Sequence, residues 1–452
     1  MNKIFKILAT RVLGLLIILV CIVGCEESFL DTKPATSVSE KDIYTDVETA
    51  KGVISGMYAQ FKSWGVRYSS ASMSGLHSAA MVRDCMGPDV LIVKSWYRAE
   101  ATYGAFNPSN SRVAYLWSEL YFVINNINNV LSQIDNLTGS DEAKNQLRGE
   151  ALAIRGWAYF ELIRTHQHTY TIASSQPGIP VYTEPATGDS KGNPRGTVDQ
   201  VYQQILSDLT TALPIIGSSR STKFYFNDDV VEAVLAQVYL TMGNWSQAIA
   251  YASSVKADYP LMSASEWQSG FNGFNSEWIW GQNNTSDENP DWGSAHNMMD
   301  PINGGSEAGW RVSDALTSLY SATDVRGAMI VDDGLGYNAN TKWQDIPSPL
   351  FSADYPLIRS AEMYLIEAEA RAKSNPPDFA GAQTALYAVQ FRADPNAVIS
   401  SASGQALIDE IIEEKRKEFW GEGIYLRDML RNQMPLVRDA THNYIYNLPA
   451  NS

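Results

Sequence analysis

DDVVEAVLAQVYLTMGNWSQAIAYASSVKADYP, running from Asp228 to Pro260, decides how the rest of this chain is organised. Leu235, Ala236, Tyr239, Gly243, Trp245, Ala248 and Pro260 fall at the large, small and turn positions of a two-helix repeat. Ala236 and Ala248 are small where two antiparallel helices must approach closely, and Leu235, Tyr239 and Trp245 supply the bulk that fills the groove between them. The helices break at Gly243-Asn244, and Pro260 stops the second one because it lacks a backbone N–H. One such pair cannot bury its own apolar face, so further pairs must stack on it.

The spacing is that of a tetratricopeptide unit, with departures at Glu232 and Ala252, where a Trp and a large aromatic are usual. Working outward, Leu116, Leu120, Ile124, Ile127, Leu131 and Ile134 share one helical face, and a second helix is expected from Asp141 to His166 as its hairpin partner. Thr45-Asp46-Val47-Glu48 and Thr197-Val198-Asp199-Gln200 fit capping boxes at two helix starts, the first followed by the stripe Val53, Ile54, Met57 and Phe61. Gly178-Ile179-Pro180 breaks the helical pattern between them. Downstream, Tyr364 to Arg371 and Phe379 to Arg392 form another pair across Pro376-Pro377, followed by a charged amphipathic helix from Gln405 to Phe419, a Gly421-Glu422-Gly423 turn and a short helix through Leu430. The dense charge of Glu413 to Glu418 reads as a solvated face, with Glu413 and Glu414 each in reach of Lys417. The expected fold is therefore all-α in the main, a tetratricopeptide-like helix-pair scaffold over about 115–260 and 357–431 within a single domain, 45–452.

Two intervals interrupt the scaffold, 62–108 and 261–356. Both are rich in small polar and aromatic residues; periodicity lapses over 62–108, which reads as a long ordered loop region or a set of short helices, and no strong strand alternation appears over 261–356. Long irregular insertions in a helical array are more often functional than structural, so these intervals are expected to meet as a loop-rich ligand-binding face. Trp96, Tyr97, Trp292 and Trp310 sit in such sequence and are the candidate stacking platforms, with Asp89 and Asn297 placed to hydrogen-bond ligand hydroxyls at the rim.

The formal net charge of −16, without a clustered run of Lys or Arg, argues against nucleic acid as a partner. The five His are widely spaced, and His166-x-His168 diverges on a helix, so no metal site is expected; Asp332-Asp333-Gly334 lacks the alternate ligands of a calcium loop, and no cofactor is implied. Phosphate loops, nucleophile elbows and His-Glu-x-x-His are absent from the sequence. At the N-terminus, Lys3, Lys6 and Arg11 precede the apolar run Val12 to Gly24, which has the proportions of an export signal and is too short to span a bilayer. A small residue directly before Cys25 resembles a lipobox, making 1–24 the signal, Cys25 the lipidated first residue and 25–44 a polar tether. Cys85 would then be the one thiol left in the mature chain, a small buried hydrophobe.

Several stretches together resemble the SusD/RagB family of surface lipoproteins. They are Cys25-Glu-Glu-Ser-Phe-Leu-Asp31 with Pro34, Arg148 to Arg155 running into Trp157-Ala-Tyr-Phe-Glu-Leu-Ile-Arg164, Gly178-Ile-Pro180, the repeat ending at Pro260, Arg359 to Ala370, and Glu414 to Gly423 leading into Leu426-Arg-Asp428. The resemblance implies a non-catalytic lid over a TonB-dependent outer-membrane barrel (SusC-like), which binds oligosaccharides or, as in RagB-like importers, oligopeptides. It also implies that Glu26-Glu27 beside Cys25 directs the lipoprotein to the outer face of the outer membrane. Ligand residues vary within the family, so none is carried over. A surface glycoside hydrolase is the reading from a different class, and two carboxylates roughly 5–9.5 Å apart in a cleft would favour it. If Cys25 carries the anchor, Cys25→Ala should release the protein from membranes in cells lacking any barrel partner, as read by fractionation; continued sedimentation with membranes would contradict the assignment.

Overall fold

The computed structural model describes residues 43–62, 73–104, 111–302, 308–344, 351–437 and 443–444; the signal, Cys25 and nearly all of the tether lie outside the described residues. Helix α1 (Val47–Lys62) comes first among the described residues, and α2 (Leu76–Met86) follows in the first irregular interval. Strand β1 (Val90–Ile92) leads on to the long pair α3 (Ser111–Gln133) and α4 (Asp141–His166). A two-stranded hairpin, β2 (Pro177–Pro180) and β3 (Arg195–Thr197), delivers the chain to α5 (Val198–Ile216). The repeat is α6 (Asp228–Met242) and α7 (Trp245–Asp258).

That repeat folds as its sequence dictates. Gly243 takes φ 75°, its N–H returning to the Tyr239 and Leu240 carbonyls, and the Asn244 side chain then caps α7 by accepting from Gln247 N. Leu235, Ala236 and Ala248 are fully buried. Thr197 and Gln200 form the expected capping box on α5. At α1 the cap is displaced by one residue: Asp46 Oδ1 accepts from Thr49 N at 2.9 Å, because the Thr45 carbonyl is engaged by Thr138 N at 3.0 Å. Inside the scaffold, Arg155 of α4 donates to both carboxylate oxygens of Asp208 on α5, at 2.9 and 2.7 Å, and to Asn128 of α3 at 2.8 Å. One buried guanidinium thus fixes three helices, and burial on nearly every side explains why α4 shows little amphipathic contrast.

The interval 261–356 corrects the expectation of irregularity. It holds β4 (Trp278–Gln282), the short helix α8 (Ala295–Met299), β5 (Trp310–Val312), β6 (Ile330–Asp332), β7 (Asn338–Asn340), and β8 (Tyr355–Arg359) at its end. β1 joins β5, β7 and β6 in one antiparallel sheet, and β4 pairs with β8 through a locally shifted register. Alternation was illegible because β4 and β5 are buried on both faces and only five and three residues long. A core of its own, containing Trp267, Trp278, Trp310, Trp343 and Trp420, lies beneath this unit. Trp280 of β4 reaches the scaffold core instead, edge-on to Trp157 at 5.2 Å and to Phe226 at 4.9 Å.

Four helices follow β8, α9 (Ser360–Lys373), α10 (Phe379–Ala393), α11 (Gln405–Glu418) and α12 (Tyr425–Arg431), before a short antiparallel strand pair, Leu436–Val437 with Asn443–Tyr444. The charged face of α11 is not solvated: Glu414, Lys415 and Glu418 are buried, and only Glu413 of the acidic pair faces solvent. Arg326 donates to Glu414 at 2.7 Å and to Glu418 at 2.9 Å, while Arg359 donates to Glu418 at 3.0 Å and to Glu422 at 2.8 and 2.9 Å. Arg359 also pairs with Glu277, Arg392 bridges Glu277 and Glu418, and Lys342 reaches Glu422 and the Trp420 carbonyl. Burial alone would push the Glu418 carboxyl up, but Arg392, Arg359, Arg326 and Lys342 together hold it well below the usual carboxylate range. Gly421 at φ 83° lets the backbone pass Trp343, whose Nε1 would lie 2.2 Å from an added Cβ. Removing one member of such a network strands buried charge, so Arg359→Met should cost about 3–5 kcal/mol in a denaturant melt. Glu413→Gln, on the exposed side of the same helix, should change stability by less than about 0.5 kcal/mol; equal effects would show that the network is not what holds α11.

Candidate functional site

The segment after β4 is built from hydrogen bonds more than from packing. Asn284 N and Nδ2 donate to Asp354 Oδ1 and the Ala353 carbonyl at 2.8 and 2.6 Å, which fixes the exit of the strand. Thr285 and Glu288 close a turn on each other, and Asn289 donates to the Thr285 carbonyl at 2.7 Å while accepting from Asp291 N at 2.8 Å. Asp291, at φ 50°, then starts a single 3₁₀ turn through Gly293. Lys62 at the end of α1 pairs with Glu288 at 2.6 Å.

This turn carries Trp292, whose side chain is half exposed, beside the ring of Phe351 at 5.4 Å and 45°. Its backbone is held from below: His77 Nε2 donates to the Gly293 carbonyl at 2.8 Å, and Asn297 Nδ2 donates to the Trp292 carbonyl at 2.8 Å. Ser294 caps α8, and His296 Nε2 donates to the Phe271 carbonyl at 2.9 Å. Burial pushes both histidines down to about 4, so at neutral pH each is an uncharged donor. An aromatic face presented on a pre-bonded turn suits stacking on an apolar ligand surface.

The other sequence candidates are placed differently. Tyr97 is fully buried, edge-on to Trp310 at 5.4 Å with its hydroxyl on Met81 Sδ, and Trp310 is itself 1% exposed on β5, opposite Ile92 of β1. Asp89 is buried and ion-paired with Arg416, Nε to Oδ2 at 2.7 Å, its carbonyl accepting from Trp420 Nε1. Asn297 is buried as the support of Trp292 rather than as a rim residue. Trp96 is half buried against the aromatic core. The structure thus brings Trp292 to the surface and builds Tyr97, Trp310, Asp89 and Asn297 into the interior, because missing periodicity here reflects short strands and turns, not exposure. Phe351 was missed, and nothing in its local sequence distinguishes it. The acidic Asp332-Asp333 pair serves its hairpin: Asp332 accepts from Gly334 N, and Asp333 from Leu335 N, Tyr337 N and Arg311 Nε. Among the described residues no three His, Cys, Asp or Glu gather as a metal-ligand set, and no helix is long and apolar enough to cross a membrane.

Comparison with known proteins decides the family. Residues 28–240 match a family model described as SusD-like, "Starch-binding associating with outer membrane", and residues 275–448 match the model of the SusD family. The chain belongs to the SusD/RagB family. A SusD-like carbohydrate binding protein from Bacteroides vulgatus ATCC 8482 is 28% identical, with a TM-score of 0.81 over 88% of this chain and 85% of that one. A putative sugar binding protein from the same strain is 27% identical, TM-score 0.75, over 88% and 90%. Surface glycan-binding protein A from Bacteroides thetaiotaomicron, solved with laminarihexaose, shares the SusD/RagB fold at 18% identity, TM-score 0.71, over 89% and 95%. SusD-like protein P2 of Formosa agariphila is 21% identical over 246 residues, 53% of this chain and 45% of that protein, so the match spans under half of that relative's length.

Both histidines, at the Trp292 turn and the helix that follows it, have pKa values in the fold below the ordinary 6.5, so their contribution is complete above about 6.5 and is lost as pH falls towards about 4. The loss amounts to at most about 3 kcal/mol each. Melting temperature should therefore decline between pH 6.5 and 4 more steeply for the native chain than for His77→Gln/His296→Gln; parallel profiles would show that neither histidine is an anchor.

Proposed function

We propose that this chain is a non-catalytic surface lipoprotein that captures oligosaccharides and delivers them to a SusC-like, TonB-dependent outer-membrane barrel. The observation that carries the reading is Trp292, an indole half exposed on a turn whose backbone is fixed by His77, Asn289 and Asn297. Sugar rings have apolar faces that lie on indole, and Phe351 beside Trp292 extends the platform. Trp96, half buried in the first irregular interval, is a secondary contact at most. Support for glycan over peptide comes from relatives of the same fold, among them a protein named for laminarin binding and another solved with laminarihexaose. Lipid anchoring through Cys25 supplies the tether, and the barrel supplies the pore.

The reading expects capture without cleavage. Glu277, Glu414, Glu418 and Glu422 are buried and ion-paired with Arg or Lys, so they are unsuited to protonating a glycosidic oxygen. Stacking contributes roughly 0.5–1.5 kcal/mol per aromatic beyond area burial. Trp292→Ala should thus weaken binding to the tightest ligand in a panel of oligosaccharides about tenfold, roughly 1.4 kcal/mol, with the melting temperature nearly unchanged. Unchanged affinity by calorimetry would remove Trp292 from the site.

A further inference from the structure

The outermost helix of the array, α10, is apolar on two sides and buried on one. Ala382, Ala385, Leu386 and Val389 share a core with Leu365 of α9 and with Leu407 and Ile411 of α11. Ala380, Thr384, Tyr387, Ala388 and Phe391 form a second stripe at helical spacing, and it faces outward. A helix that is apolar all round is ordinarily covered on every side. Between Phe379 and Phe391 there is no charged residue, although the chain as a whole is 19% charged. The Gln and Thr side chains of that stretch turn back on the chain: Gln383 donates to the Ala402 carbonyl at 2.8 Å, Thr384 to the Ala380 carbonyl at 2.8 Å, and Gln390 to Glu410 at 3.1 Å. Tyr387 and Phe391 lie against each other with ring centroids 5.4 Å apart, and among the described residues they join none of the apolar cores.

The loop after α10 extends this ridge. Gln390 and Ser400 both donate to the Glu410 carboxylate, so their chain neighbours Phe391 and Ile399 are held at the same end of the helix. Asp394 fixes the start of the loop by accepting from Thr323 Oγ1 at 2.7 Å and from Asn396 N at 2.9 Å. On this pinned framework Phe391 is 52% exposed, Ile399 53% and Val398 80%. Helical arrays need a polar outer face where they end, and this end is apolar. A lipid surface does not suit it: in the succession of packed helices α3, α4, α5, α6, α7, α9 and α10 it stands last, while α1, which follows the stretch read from the sequence as a tether, packs on α3 and α4. A second copy does suit it, because an antiparallel α10 pair about a two-fold axis repeats the helix-on-helix packing of the array with no like charges along the ridge. Charges stand only at its ends, Asp378 with Arg371 at the start and Asp394 and Glu410 at the finish. The two-fold sets the Arg371 end of one copy against the Asp394 end of the other, which keeps the acids apart and opposes the two helix dipoles.

We propose that the outer face of α10, with Val398 and Ile399 of the following loop, is a self-complementary interface through which two copies of this chain pair across a two-fold axis. The helix has 15 residues and is about 22 Å long, so the contact is at or below the small end of stable interfaces, about 1,200 Å² in total. The dimer is accordingly weak, with half-association at roughly 10–100 µM. Two Trp292 platforms held together would grip a long ligand by avidity, but the pairing does not depend on that reading. Sedimentation of the chain from Glu26 onward, which keeps every described residue, should show a monomer–dimer equilibrium in that range. Phe391→Asp and Val398→Asp should each raise the dissociation constant about tenfold or more. Both side chains are exposed within the protomer, so the melting temperature should not change. Trp292→Ala should leave association as it is. Thr384→Cys, near the middle of the ridge, should form an intermolecular disulfide on mild oxidation, since Cys85 is buried. Glu142→Cys, exposed on α4, should not. A monomer throughout the range, which would leave the ridge to a different protein, would overturn the proposal. So would association unaffected by Phe391→Asp, or cross-linking of Glu142→Cys equal to that of Thr384→Cys.

Discussion

Glu418, the last residue of α11, is the point on which the two halves of this molecule depend. Its carboxylate is fully buried and meets Arg326 from the loop-rich unit, Arg359 from the junction of β8 and α9, and Arg392 from α10. Three cations around one acid would repel one another, and Glu277, Glu414 and Glu422 restore the balance. Desolvating this many charges is costly, and Coulomb attraction offsets the cost only because nearly every oxygen and guanidinium nitrogen is also hydrogen-bonded. A network of this kind tolerates one geometry. It therefore specifies how the loop-rich unit sits on the helices more than it adds net stability.

That constraint carries through to the Trp292 turn, the proposed binding surface. The β4–β8 pair brings Glu277 beside Arg359, with Ser360 N donating to the Glu277 carbonyl at 2.9 Å, so the same strands that enter the network also position the residues that follow β4. Trp292 extends from this strand on a turn with its polar groups satisfied, and His77 ties it to α2 from the other irregular interval. Sites on loops are precise only when a rigid support defines them. Here the support is ionic at its base and hydrogen-bonded at its tip.

The helix pairs were legible in the sequence because they obey local rules. Gly243-Asn244, the alanines at 236 and 248, and the Thr197–Gln200 box each act within a turn or two of chain. The α11 face was misread because the spacing of Glu414, Lys415 and Glu418 is the same whether the charges meet water or Arg326, Arg359 and Arg392, which lie up to 92 residues away in sequence. The aromatic candidates divided for a similar reason. Tyr97, Trp310 and Trp292 occur in comparable Gly- and Asp-rich surroundings, and tertiary packing into the core shared with Met81 and Trp420 covers the first two. Asn297 is not the rim residue expected from the sequence, since it is buried and its amide donates to the Trp292 carbonyl.

The central claim is that the loop-rich unit and the helical scaffold form one cooperative body through the Glu418 network. Native-state hydrogen exchange measures this directly, because amides in separate cooperative units open with separate free energies. The account predicts that protected amides of β4, β8 and α8 share one opening free energy with those of α9 and α11, and that Arg359→Met lowers all of them together. Amides of β4 and α8 that open at a distinctly lower free energy, with α9 and α11 unaffected, would contradict it.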